Sequence, residues 1–325
     1  MHNQSIKRWL RNIVTLIILG FLLWYLAGHW HELKVMLKLS PAQLALMYFL
    51  SFLSILVGAL VDKSLLKALN TDTLLWDLLR LNNAALLLNY APMKFGTLFR
   101  ADYLKRHYGL SYTRFATFFL YVILLMTGTA ATIGLAVLLA VYGLAERQSQ
   151  ILAGIFGITI AGSLLFLFIP LPVPTGQGQF RNRLRNFLAG RSQIAKDAKT
   201  NAATIALLVI VYLLTAVRLG IIYHGMGQSI HPAGYLVLGA LGFVVLFIGL
   251  TPGALGIREL VLGFGAAVLG VPLQIGILAA MIDRAITISY AFAVGGSCAL
   301  WLWHKSPTDF KKQNNGSGQA GNRNG

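Results

Sequence analysis

Thr251-Pro252-Gly253-Ala254-Leu255-Gly256-Ile257-Arg258-Glu259 sets a helix-breaking Pro-Gly pair and two charges inside an otherwise apolar region. In hydrocarbon every backbone N–H and C=O must find its partner within the protein, so a broken helix at membrane depth survives only where it is buried or lines a cavity. An Arg or an acidic side chain at the bilayer centre costs roughly 2.5–3.5 kcal/mol on insertion scales, which makes a charged pair there a functional hypothesis. The chain around the stretch is membrane-like: its 325 residues are 57% hydrophobic and 11% charged, with a mean hydropathy of +0.69. Soluble domains carry about 25% charged residues, so the composition implies a polytopic membrane protein.

Working outward, the same break occurs once more. Pro92-Met93-Lys94-Phe95-Gly96 aligns with Pro252-x-x-x-Gly256, and each follows a helix-like stretch and precedes a short segment. Those segments end at Gly109 and Gly270. The segment 257–269 is about 20 Å long at 1.5 Å per residue, too short for a hydrocarbon core of about 30 Å. Long apolar spans fall at about 13–30, 42–61, 115–142, 151–171, 202–223 and 274–303. Asp62, Lys63 and Lys67 mark the exit of the second span, and Arg218 lies toward the outer end of the fifth. The first span follows Lys7, Arg8 and Arg11 in the manner of a signal peptide. It lacks a good small-residue cleavage site and is read as uncleaved.

The expected fold is therefore an all-α polytopic membrane protein of about six transmembrane helices plus two re-entrant helical hairpins in an inverted repeat. Residues 1–12 form a cytoplasmic N-terminus. The first repeat covers 13–142 with its hairpin at 74–107, an outer loop covers 143–150, and the second repeat covers 151–303 with its hairpin at 234–269. A basic cytoplasmic loop spans 172–201, and 304–325 is a disordered cytoplasmic tail. Three spans per half is an odd number, so the second copy is inverted, an arrangement used by many secondary transporters.

Charge distribution fixes the orientation. The formal charge of +17 comes from 27 Lys and Arg against 10 Asp and Glu. With both termini inside, the outer links hold only Lys34, Lys38 and Arg147, as the positive-inside rule requires. Lys94, Arg218, Arg258 and Arg284 are left in or near apolar segments. A basic excess of this kind meets anionic headgroups, and no nucleic-acid partner is expected.

A half-helix that begins inside the membrane points unpaired N–H groups and a positive dipole end forward, which makes an anion site. Two such starts, after Pro92 with Lys94 and Gly96 and after Pro252 and Gly253 with Gly256 and Arg258, would surround a phosphate if the tips meet. Arg100, Arg218, Glu259, Asp283 and Arg284 complete the candidate substrate-binding set. Glu259 and Asp283 would pair with the arginines or exchange protons, and adjacent Asp283 and Arg284 would meet different partners. The alternative is structural: Pro and Gly only kink the helices, Lys94 and Arg218 reach the interface, and Asp283-Arg284 locks a hairpin to the last span. Arg100 either binds headgroups on the cytoplasmic side or serves topology. No Walker-type loop, His-Glu-x-x-His pattern or nucleophile elbow occurs, so no enzyme, metal or cofactor is expected. Cys298 is the single cysteine, which rules out an intramolecular disulfide within this sequence.

Pro252-Gly-Ala-Leu-Gly256-Ile-Arg-Glu259, Pro92-x-x-x-Gly96-x-x-x-Arg100 and Asp283-Arg284 together resemble the transmembrane region of lysylphosphatidylglycerol synthetases, a flippase-like integral membrane family. The likeness covers roughly 7–305, with Ala254 where the family pattern often has a second Gly. It implies a lipid flippase or translocator of the bacterial inner membrane, acting on an anionic phospholipid or a polyprenyl-phosphate-linked lipid. The lipid chains are expected to stay in the bilayer. An accessory subunit that presents lipid to a cell-envelope biosynthetic enzyme, such as a glycosyltransferase or lipid synthase, is the alternative. No soluble aminoacyl-transferase domain follows Lys305 here, so lipid aminoacylation is not implied.

Overall fold

The computed structural model describes residues 39–90, 95–169, 178–248 and 256–304. The expected first span, the C-terminal tail and the residues Pro92, Lys94, Pro252 and Gly253 lie outside the described residues. Those described are helical, without a strand, in the order α1 Pro41–Ala68, α2 Leu75–Leu88, α3 Phe95–Tyr108, α4 Tyr112–Val137, α5 Arg147–Phe168, α6 Gln179–Lys196, α7 Ala198–Gly225, α8 Pro232–Ile248, α9 Ile257–Val268, α10 Leu273–Tyr290 and α11 Gly296–His304. Wide turns of π type extend α4 through Leu138–Tyr142 and join α10 to α11 through Ala291–Gly295.

Among the described residues, five helices are long and apolar enough to cross a membrane: α1, α4 with its π turn, α5, α7 and the joined α10–α11. At 1.5 Å per residue, the 28 residues of α1 and of α7 reach about 42 Å, beyond a 30 Å core. The 14-residue α2 and α3 and the 12-residue α9 reach only about 18–21 Å. The chain thus runs long, short, short, long over α1–α4, and again over α7–α10.

Sequence signals set the helix starts. Ser40 caps α1 reciprocally with Gln43, its hydroxyl accepting from the Gln43 N–H at 3.3 Å while Gln43 Oε1 accepts from the Ser40 N–H at 2.9 Å; Pro41 occupies the first turn. Asp197 caps α7, accepting from the N–H of Thr200 at 3.0 Å and from its hydroxyl at 2.7 Å.

Two hydrophobic cores form, one toward each end of the long helices. One joins Met47 near the start of α1, Leu138 beyond α4, Ile222 near the end of α7, and α8, α9 and the middle of α10. The other joins Leu65 near the end of α1, Phe118 near the start of α4, Leu208 on α7, and α2 and α3. Each short pair therefore packs at a different end of the bundle. Among the described helices, α1 and α7 pack extensively on each other. α5 is peripheral, with Ile158 77% exposed.

The basic stretch expected as a loop contains α6, an 18-residue helix. It is fastened across the helix ends: Arg191, buried, donates to the carbonyls of Phe166 and Ile169 at the end of α5, and Gln193 donates to the Ala68 carbonyl at the end of α1 at 2.8 Å. An arginine that satisfies terminal carbonyls and meets the negative end of a helix is a stabilising cap.

Candidate functional site

Asp283 and Arg284 sit side by side on α10, about 100° apart around the helix, and they face different neighbours. Asp283 is 4% exposed and accepts from Arg218 of α7 at Oδ1 and from Arg258 of α9 at Oδ2, both at 2.6 Å. Arg218 also donates to the Thr287 hydroxyl at 3.1 Å, and that hydroxyl in turn donates to the Asp283 carbonyl at 2.8 Å. Arg284 pairs with Glu259 of α9 in a buried salt bridge. Glu259 also folds back on its own helix start, its Oε2 accepting from the Gly256 N–H at 2.9 Å. Gly256 holds φ +80°, a conformation costly for any residue with a Cβ.

A second network forms in the other half. Asp62, 4% exposed on α1, receives two donors at Oδ2: Arg100 of α3 at 2.8 Å and the Asn82 amide of α2 at 2.7 Å. Gly96 lets the start of α3 lie against the end of α2, because a Cβ there would collide with the Ala85 carbonyl and the Asn89 side chain. Asn89 uses that closeness to cap α3, accepting from the Thr97 N–H at 3.2 Å.

Both networks open on one cavity of about 540 Å³. Its lining includes Asn89, Tyr90 and Thr97 from the junction of α2 and α3, and Gly242, Phe243 and Arg258 from either side of the gap between α8 and α9. Three arginines, Arg100, Arg218 and Arg258, line it against two aspartates, Asp62 and Asp283, which leaves one positive charge in surplus among the described residues. The Nε atoms of Arg100 and Arg218 and Oδ1 of Asn82 are buried without a hydrogen-bond partner among the described residues. Taking such charges out of water costs several kcal/mol per ion, so the arrangement holds only because each carboxylate is paired and hydrogen-bonded.

The structure separates the candidate residues. Arg100, Arg218, Arg258 and Asp283 line the cavity. Glu259 and Arg284 are not among its lining residues and instead bind α9 to α10. Arg218 does not reach for headgroups: its side chain is 12% exposed and held by Asp283. Arg100 is 16% exposed and paired with Asp62 inside the bundle. Asp62 is the residue that sequence reasoning missed as part of a site. Beside Lys63 and Lys67 it reads as a span boundary, yet α1 continues to Ala68 and buries it. The signal for it was Asn82, a polar residue on the otherwise apolar α2 that needed a buried partner.

The fold and these buried charges define a polytopic α-helical membrane protein with a charged internal cavity. The chain belongs to the family described as the lysylphosphatidylglycerol synthase TM region, whose model matches residues 12–295. That family groups membrane proteins of lipid metabolism or transport. No curated protein and no solved structure matches the chain at a significant level.

Proposed function

We propose that this protein is a lipid translocator, not an enzyme, that moves an anionic phospholipid or a polyprenyl-phosphate-linked lipid between the leaflets of the bacterial inner membrane. The observation that carries this reading is the surplus of guanidinium charge, among the described residues, in a cavity to which both halves contribute. A phosphodiester offers a compact anion with several acceptor oxygens, the chemistry that arginine recognises best. The family assignment supports a lipid as the bearer of that anion.

The repeated order of long and short helices, with its two short pairs at different ends of the bundle, supports an inverted repeat with two re-entrant hairpins. In that arrangement discontinuous helices meet near the midplane and the two halves rock about the bound group. Arg258 and Arg218 leave Asp283 for the phosphate as the headgroup enters, and Arg100 leaves Asp62 in the same way. The aspartates keep the arginines paired between substrates, which avoids a buried unpaired charge.

A second reading is favoured by α6, whose exposed Arg183 and Arg185 make a cationic surface: an accessory protein that presents lipid to a cell-envelope enzyme docked there. Reconstitution into vesicles with fluorescent phosphatidylglycerol and a membrane-impermeant quencher separates the two. Translocation predicts that wild-type protein exposes inner-leaflet probe and that Arg258→Ala slows it by about tenfold or more, the loss of one charged hydrogen-bonding partner. No probe movement by wild type, together with co-purification of an enzyme, would replace translocation with the accessory reading.

A further inference from the structure

The walls of the cavity are divided by helix. Its charged and amide groups come from α1, α2, α3, α7, α9 and α10, whereas α4 contributes only apolar side chains, among them Phe118, Val122 and Met126 at successive intervals of four. That spacing makes one stripe about 12 Å long on a single helix face. α7 grades from apolar to charged through Leu208, Val211, Thr215 and Arg218 over about 15 Å. Phe118 and Leu208 are buried, while Val122, Met126 and Val211 are only half-buried and supply the open face. Glycine keeps further room: Gly58 of α1 and Gly242 of α8 line the cavity, and a Cβ on either would touch nothing within 4 Å.

A headgroup alone does not fit this lining. Hydrated phosphate or glycerol against the α4 stripe would leave its apolar surface wet, forfeiting about 25 cal/mol per Å² that hydrocarbon would recover. We propose that the cavity binds the proximal hydrocarbon of the lipid as well as its headgroup. The phosphate lies at Arg100 and Arg258, and the first part of an acyl or prenyl chain lies along the Phe118–Val122–Met126 stripe of α4 and the Leu208–Val211 face of α7. This rests on the translocator reading and replaces the expectation that the chains stay in the bilayer. It also predicts that the chain-free headgroup binds more weakly than the lipid that carries it.

The test uses the full-length protein in phosphatidylcholine nanodiscs and two probes. One is phosphatidylglycerol with a photoreactive diazirine near the carboxyl end of one acyl chain, and the other is glycerophosphoglycerol, the same headgroup without chains. Crosslinks should fall on peptides containing 118–126 and 208–215. Val122→Trp should weaken the lipid probe by about tenfold, the equivalent of about two buried methylenes, and leave the chain-free headgroup unchanged. Gly58→Leu guards against a folding failure, since its added side chain meets open space and leucine favours a helix more than glycine does; it should weaken the lipid probe in the same direction. Crosslinks confined to outer surfaces such as Ile158 and Leu164, or lipid binding unchanged in both filled variants, would overturn the hydrocarbon site. Arg100→Ala and Arg258→Ala should weaken both probes. If they weaken neither, the translocation site itself has failed; if they weaken both while the filled variants weaken nothing, only the hydrocarbon site has.

Discussion

Glu259 and Asp283 lie on packed helices and each meets arginine, yet their surroundings give them different tasks. Glu259 ties Arg284 and the start of α9 together away from the cavity, so its pair is structural. Removing one partner of a buried pair leaves an uncompensated charge, and Glu259→Gln or Arg284→Met should each cost about 3–5 kcal/mol of stability, measured as thermal unfolding in detergent. The double change Glu259→Leu with Arg284→Met should recover most of that loss, because an apolar pair of similar volume needs no desolvation. Asp283→Asn should share that loss of stability and add a functional effect: with Arg218 and Arg258 released, binding of glycerophosphoglycerol should strengthen while translocation slows. Weaker anion binding by Asp283→Asn would mean that the carboxylate does not compete with the ligand. The charges Arg258, Asp283 and Arg284 were legible in the sequence because each interrupts an apolar run. Asp62 was not, because its partner Arg100 lies 38 positions away and only tertiary packing joins them.

At the scale of helices, α6 shows what a charge count conceals. Its arginines read as one basic loop, since the positive-inside rule counts charge and ignores where each side chain points. Arg191 instead turns inward and closes the carbonyl end of α5, while Arg183 and Arg185 remain exposed. Arg191→Leu should release this fastening, seen as faster amide hydrogen exchange across 179–196 with little change in α8 or α9. Equal exchange in the variant would show that the cap does not hold the helix. Where α6 passes into α7, the hydroxyl and N–H of Thr200, aided by Lys199, hold the Asp197 carboxyl below its ordinary range. A depressed carboxylate stabilises above its unfolded pKa of about 3.9 and loses that effect as pH falls through the folded value. The α7 cap should therefore be insensitive to pH between 5 and 8 and fray only in acid, and Asp197→Ala should fray it at neutral pH as well, read as faster amide exchange at Thr200 and Asn201.

Across the whole molecule, the doubled pattern of breaks at Pro92-x-x-x-Gly96 and Pro252-x-x-x-Gly256 already told where the short helices begin. The long spans followed from length and hydropathy. What the sequence withheld was the distance between the halves, because a charge pair or a cavity wall has no local signature when its members are tens to hundreds of residues apart. Asn83 of α2 accepting from Tyr290 at 3.0 Å is one such tie, and the single cavity between Asp62 and Asp283 is another. Translocation requires that this one cavity serve both faces of the membrane. Thr215, half-buried on α7 within the lining, reports on it when replaced by cysteine in a Cys298→Ser background. In sealed vesicles of known orientation, a membrane-impermeant maleimide should label Thr215→Cys from either side, and anionic lipid should shift the ratio between sides. Labelling from one side alone, with and without lipid, would rule out translocation through this cavity.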